Sequence, residues 1–158
     1  MVSIVTADTA EQIELVRALT GEYARLPHIL GRWSDAPSEV DALPGEYVAP
    51  DGGLLLAMRD GQAIGSVGWI RVDAATAELK RLYVRPDART SGAGRALVRG
   101  VIQAALDRGC KTLRLDTIPA LTAANALYAS MGFEPTDRFS DDLYPDANCY
   151  ALDLTVGW

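Results

Sequence analysis

The stretch Arg89-Thr90-Ser91-Gly92-Ala93-Gly94-Arg95-Ala96-Leu97 brings together the residue types needed to hold an anion. Two glycines, one residue apart, stand at the head of an apolar helical pattern. The first turn of a helix has unpaired N–H groups and a partial positive charge, so that end attracts negative groups. Glycine at 92 and 94 clears the approach to the N–H groups of Gly92, Ala93, Gly94 and Arg95. Lys80, Arg81, Arg85, Arg89, Arg95 and Arg99 surround the stretch, opposed locally by Asp87 alone. The expectation is a diphosphate gripped by bare amides and neutralised by arginine. The plainer alternative is a flexible helix start beside a solvated basic face.

Two other phosphate motifs fit less well. A P-loop ends in Gly-Lys-Ser/Thr, which the stretch lacks. A dinucleotide-binding turn would use Asp116, at the end of the next strand, as its ribose acid. Leu97, however, fills the third small position of that motif, and Arg85–Ser91 separates strand from glycine where the turn must be immediate.

The elements that position the stretch follow from periodicity. Ile4 and Val5 suggest a short strand. Asp8 and Glu11 have the spacing of a capping box. Ile13, Val16, Leu19, Tyr23 and Leu26 then recur at helical spacing over residues 9–26. Residues 26–37 read as a loop, and a short helix ends at Pro44 and Gly45. Asp60-Gly61 is a hairpin turn between strands near 53–58 and 63–72. A further strand, 78–84, ends before Pro86. Residues 92–108 form the glycine-headed helix, stopped by Gly109. A strand over 111–116 leads to a helix that takes Pro119 in its first turn and ends at Gly132. Residues 148–154 form a last strand, with Cys149 in it. An antiparallel hairpin followed by a β-α-β crossover predicts an α/β fold with a mixed sheet.

Composition bounds the function. The chain has 158 residues, 49% hydrophobic and 23% charged, with a net charge of −6. That is one domain's worth of core, expected to span 1–158. An acidic balance argues against nucleic-acid binding. The longest apolar run, Leu54–Met58, is far short of the roughly 20 residues that span a bilayer, so no membrane partner is expected. The N-terminus lacks a basic start and a long apolar stretch, so the expected location is the cytoplasm. Cys110 and Cys149 form no metal-type spacing, and no metal is expected.

Three ordered blocks, Glu78–Leu97, Leu113–Pro119 and Ala126–Pro135, resemble the GNAT superfamily of N-acetyltransferases. Arg89, Gly92 and Gly94 match its Arg/Gln-x-x-Gly-x-Gly/Ala signature. Glu78 matches an acidic residue on the strand before it. Ala124, Leu127, Tyr128, Gly132 and Phe133 match its later A-x-x-L-Y-x-x-x-G-F pattern. The resemblance covers essentially the whole chain. It implies a mostly antiparallel sheet with a central parallel β-α-β splay and flanking helices. Many members carry Asn seven residues before the tyrosine, where this chain has Leu121. Asn125, three residues before Tyr128, is counted with the cofactor-binding residues without inheriting that role.

The resemblance implies acetyl-CoA as donor and an amine as acceptor, joined by direct attack with no covalent enzyme intermediate. Leu82, Tyr83 and Val84 are expected to hold the pantetheine arm by their backbone, as an added strand is held. Arg89, Thr90, Ser91, Gly92, Ala93, Gly94 and Arg95 hold the diphosphate, and Arg99 is within reach. Glu78 is the candidate base, directly or through water, and Tyr128 the candidate acid toward the departing sulfur. A GNAT fold that binds acyl-CoA without catalysis is the second reading. The acceptor is expected to meet the N-terminal helix, residues 27–46 and the segment 136–148. Asp137, Asp141, Asp142 and Asp146 in that segment suit a cationic acceptor, although a solvated loop carries the same charges. Trp33 is a candidate pocket wall, and Trp69 a core residue. His28, the one histidine, is expected to pack a loop. The last strand is free to pair across a homodimer.

Overall fold

A computed structural model describes residues 1–157. The strands are β1 (Ser3–Thr6), β2 (Gly52–Arg59), β3 (Gln62–Arg71), β4 (Thr76–Val84), β5 (Thr112–Thr117), β6 (Glu134–Pro135) and β7 (Asn148–Asp153). The helices are α1 (Ala10–Ala24), α2 (Ala36–Ala42), α3 (Ala93–Asp107) and α4 (Thr122–Ser130), with a single 3-10 turn at Pro86–Ala88. All seven strands form one sheet in the order β1-β2-β3-β4-β5-β7-β6. Every pair is antiparallel except β4–β5.

Helices cover both faces. Leu97, Val98, Val101, Ile102 and Ala105 of α3 pack on Ala77, Leu79, Leu113 and Leu115 of β4 and β5. Ile13, Val16 and Leu19 of α1 pack on Leu54, Leu56 and Tyr83 from the other side. Each fully buried aliphatic side chain contributes about 1.5–3 kcal/mol relative to exposure. Asp60 and Gly61 sit at φ 53° and 77°, as the expected β2–β3 turn requires. Trp69 is buried, as a core residue should be. No helix among the described residues is long and apolar enough to cross a membrane.

Three expectations are corrected. The capping box of α1 uses Thr9 and Gln12, not Asp8 and Glu11: Thr9 Oγ1 accepts from Gln12 N–H at 3.2 Å, and Gln12 Oε1 accepts from Thr9 N–H at 3.1 Å. Helix α4 begins at Thr122, and Pro119 precedes it in irregular chain. The last strand is not the sheet edge. Strand β6, two residues long and ending in Pro135, pairs with Tyr150 and Ala151 of β7 and takes that edge.

The centre of the sheet is incomplete. β4 and β5 pair at three positions only, Thr76–Thr112, Ala77–Leu113 and Glu78–Arg114. Both strands run on, to Val84 and Thr117, so they part beyond Glu78. A β-bulge accompanies the parting. Ser66 pairs with Tyr83 and Gly68 with Lys80, so Arg81 and Leu82 together face Val67. Arg81 takes φ 60°, a left-handed conformation unusual for a non-glycine residue. A bulge bends its strand, and here the bend turns β4 away from β5.

Candidate active site

A cleft of about 730 Å³ opens where the strands part. Its walls are Tyr23, Leu26, Pro27 and His28 from α1 and the chain after it, and Leu82, Tyr83 and Val84 from β4. Pro86, Ala88, Arg89, Thr90 and Gly92–Arg95 continue the wall, and Ala120–Ala124 with Leu127 close it. The volume lies in the usual range for a small-molecule or cofactor site.

Helix α3 aims its N-terminus into this cleft. Its N-cap is Gly92 at φ 88°, where an added Cβ would enter open space and strain the backbone. Ser91 Oγ accepts from Ala93 N–H at 3.2 Å, and Ser91 does not line the cleft. The first intrahelical bond runs from Ala96 N–H to Gly92 C=O at 3.0 Å, so the N–H groups of Gly94 and Arg95 precede the helical ladder. A Cβ on Gly94 would come within 3.2 Å of Leu127 Cδ2, so glycine there also lets α4 approach. Arg95 donates to Ser130 Oγ at 2.8 Å and ties α3 to α4. Arg89 is exposed on the rim. Arg99 is exposed and stands outside the cleft lining.

Helix α4 carries Tyr128; neither Tyr128 nor Glu78 is among the residues that line the cleft. Asn125 Nδ2 donates to Ile118 C=O at 3.0 Å and fastens the helix to the end of β5; Asn125 itself does not line the cleft. Its Oδ1 is buried without a partner. Leu121, the N-cap of α4, does line the cleft. Tyr128 is 4% exposed and tilts against Phe133 at 5.6 Å between ring centres. Its hydroxyl has no hydrogen-bond partner among the described residues. Burial raises its pKa above the ordinary tyrosine value, with Tyr23 and Asp116 adding to the shift, so the phenol stays protonated.

Glu78 is buried at the last paired position of β4. Arg114 Nε donates to its Oε1 at 2.9 Å, and Lys80 Nζ stands 3.6 Å from its Oε2. Arg114 in turn lies 4.1 Å from the Phe139 ring. The expected base is therefore a carboxylate engaged by two cations.

Cations and rings close the face that carries α1 and α2. The Arg81 guanidinium lies 4.2 Å over the Trp33 ring and 3.2 Å from Glu39 Oε2. Tyr23 meets Trp33 and Tyr83 edge-on at 6.0 and 6.3 Å. Burial pushes the Tyr23 hydroxyl up to about 12. Arg32 lies over Tyr144 at 4.5 Å and ion-pairs with Asp146, which joins the segment after α1 to the one before β7. Tyr83 and Arg85 both donate to Glu22 of α1, at 3.1 Å and 2.8 Å at closest, and fix that helix to the end of β4.

Asp116 stands outside the residues that the glycine and tyrosine motifs select. Asp116 is half-buried on β5, two residues beyond the last parallel pair. Burial and the nearby Glu78 raise its pKa above the ordinary aspartate value, against Arg81 and Lys80. The signal for it was the strand alternation that puts Arg114 and Asp116 on the opposite face from Leu113 and Leu115. Among the described residues, no group of three or more His, Cys, Asp or Glu is placed to hold a metal ion.

Residues 14–133 match the family model described as the Acetyltransferase (GNAT) family. An uncharacterized N-acetyltransferase of Schizosaccharomyces pombe is 33% identical over 117 residues, 72% of this chain and 72% of that protein. An aminoglycoside N(6')-acetyltransferase type 1 of Stenotrophomonas maltophilia is 31% identical over 118 residues, 69% of this chain and 77% of the other. Among solved structures, the PaiA N-acetyltransferase of Thermoplasma acidophilum in complex with coenzyme A superposes with a TM-score of 0.76. That match covers 97% of this chain and 99% of the other at 18% identity, and it bears on the fold alone.

Proposed function

The chain belongs to the GNAT acetyltransferase family, and on that footing we propose how its residues divide the work of acetyl transfer. It is an acetyl-CoA-dependent N-acetyltransferase with an amine as acceptor. The observation that carries the residue assignment is the glycine-headed helix opening into the cleft beside the parted strands. The fit to a long diphosphate-bearing carrier rests on the open space at Gly92 and on N–H groups that precede the α3 ladder.

The N–H groups of Gly94 and Arg95 hold the diphosphate, and Arg89 neutralises it from the rim. The backbone of Leu82–Val84, turned from β5 by the bulge, takes the amide-bearing arm as a strand takes a neighbour. Bound acetyl-CoA supplies an activated acyl group whose C–S bond breaks as the amine nitrogen bonds to the acyl carbon. Tyr128, protonated and without an internal partner, gives its hydroxyl proton to the departing sulfur. Glu78 serves the amine's proton from behind, through an intervening group, because Arg114 and Lys80 occupy its carboxylate. Holding both reactants in one cleft supplies much of the acceleration.

The acceptor we favour is a cationic amine. One relative is named for aminoglycosides, and the segment before β7 carries Asp137, Asp141 and Asp142 on its exposed side. The two cysteines are buried and unpaired, which supports a reducing compartment such as the cytoplasm. The test is thiol release from acetyl-CoA across aminoglycosides, polyamines, amino acids and peptide N-termini, with CoA binding followed by calorimetry. Amine-dependent release is expected. CoA binding with no release on any amine would leave a carrier-binding module, and no CoA binding would remove the cleft assignment.

A further inference from the structure

Two guanidinium groups of this chain lie in the same kind of setting, with an aromatic face on one side and a carboxylate on the other. Arg81 lies 4.2 Å over Trp33 and 3.2 Å from Glu39 Oε2. Arg32 lies 4.5 Å over Tyr144, and both its terminal nitrogens donate to the Asp146 carboxylate. A ring face beside a carboxylate is a cation site. The two arginines are not equally tied to theirs. Arg81 belongs to β4, at the bulge, and is half-buried. Arg32 is exposed, in the irregular chain between α1 and α2, and among the described residues its side chain hydrogen-bonds to Asp146 alone.

The Tyr144–Asp146 site stands beside the cleft. Trp33, next to Arg32 in the chain, meets edge-on the Tyr23 ring that forms part of the cleft wall. Burial raises the pKa of both the Tyr23 and the Tyr144 hydroxyl, and Arg81, Asp116 and Glu39 act on each, so the two tyrosines face one set of charges. The turn that presents Tyr144 has supports of its own. Arg138 donates to the C=O groups of Tyr144 and Leu143 at 3.1 and 2.6 Å, and Ala147 N–H donates to Tyr144 C=O at 3.0 Å. None of these contacts involves Arg32. An exposed ion pair between side chains holds weakly, because water screens it and ordering a long side chain costs entropy. A ligand ammonium can therefore take the place of Arg32 at small cost.

We infer that the Tyr144 ring and the Asp146 carboxylate form a second cation subsite for the acceptor of the transfer assigned above, and that Arg32 fills this subsite while no acceptor is bound. The inference rests on the acetyl-transfer reading and narrows its acceptor to amines that carry a second cationic group. One nitrogen of such an acceptor meets the thioester as a neutral amine. The other stays an ammonium ion and lies over Tyr144 against Asp146, while Arg32 turns out into water. The second nitrogen takes no part in bond making, so it binds ground state and transition state alike and acts on KM. Arg32 is its internal competitor: every molecule in which the guanidinium holds the subsite must give it up before the ligand can enter. Selectivity is then the difference in affinity between a diamine and a monoamine of equal length.

The test compares diaminoalkanes, from diaminopropane to diaminodecane, with alkyl monoamines of matching length in thiol release from acetyl-CoA. Wild type, Arg32→Ala, Asp146→Asn and the double variant are used as full chains, with calorimetry of CoA on each. Wild type is expected to prefer its best diamine over the matching monoamine by about fivefold in kcat/KM, with the difference in KM. Arg32→Ala should raise that preference by about twofold, because the competitor is gone. Asp146→Asn should lower it by about threefold, because ligand and competitor both lose the carboxylate. Added to Arg32→Ala, Asp146→Asn should lower it by about fivefold, since no competitor then offsets the loss. CoA should bind all four proteins within about twofold. A merely structural clasp predicts shifts in the same direction for the two single variants, because either change undoes the same ion pair. That result, or lost CoA binding in either single variant, overturns the subsite while the transfer reading stands. So does wild-type protein that uses diamines and monoamines alike, or other amines and no diamine. Wild-type protein that releases thiol with no amine of any kind overturns the transfer reading, and the subsite falls with it.

Discussion

Tyr128 and Glu78 show how much of a residue's role depends on its partners. Tyr128 is buried against Phe133 with a hydroxyl that bonds to nothing in the chain. Removing that hydroxyl breaks no internal hydrogen bond, so Tyr128→Phe is expected to change stability by less than about 0.5 kcal/mol. Turnover should fall by about 100-fold or more, and CoA affinity should stay within a few-fold. Thermal unfolding, calorimetry and thiol release on one preparation check all three. Unchanged turnover would remove Tyr128 as the acid. Glu78 and Tyr128 are candidates through the motifs around them. Of the two cations on Glu78, Lys80 follows from its place two residues along the same strand, whereas Arg114 does not, because it lies 36 residues away and meets Glu78 only through the β4–β5 register.

At the scale of elements, α3 and the clasp between α1 and β4 make separate predictions. Gly92 is in the left-handed region with open space where a Cβ would go. Gly92→Val should strain the backbone by about 1–2 kcal/mol and fill the space before the α3 N-terminus. The expected result is loss of most CoA affinity by calorimetry with the fold retained by circular dichroism; normal binding would place the diphosphate elsewhere. Glu22 accepts from Arg85 and Tyr83, and the Arg85 hydrogen bond, against some desolvation, holds its carboxyl below the ordinary 4.5. A depressed carboxyl pKa contributes stability above its unfolded value and loses it as pH falls through the folded one. Wild type should therefore weaken below about pH 4.5, and Glu22→Gln should flatten that fall. The pair is about a third exposed, so the difference should stay under about 1 kcal/mol in denaturant titrations at pH 7 and pH 3. The β2–β3 hairpin and the span of α3 were legible because glycine punctuates both. The Arg81 bulge was not, since a non-glycine residue at φ 60° leaves no mark in an alternating pattern. Strand β6 is too short to show a period, and α4 begins after Pro119 because Ile118–Leu121 turns before the helix starts.

For the whole molecule, the decisive feature is a sheet whose middle pair stops after Glu78. The mixed sheet followed from the order of the elements, and the flanking helices and the gap were implied by family resemblance, not by any residue pattern. A ligand that binds only the folded chain stabilises it by mass action, about 2.7 kcal/mol at one hundred times its dissociation constant. The unfolding midpoint should therefore climb with acetyl-CoA concentration, and a midpoint indifferent to it would mean that the carrier does not engage the native state. Backbone left without neighbours at the heart of a sheet behaves like an interior edge until something lies along it. Starved of carrier, the chain should be cut sooner by a protease such as thermolysin; supplied with it, later. The amount of this enzyme in a cell would then follow acetyl supply through its rate of destruction.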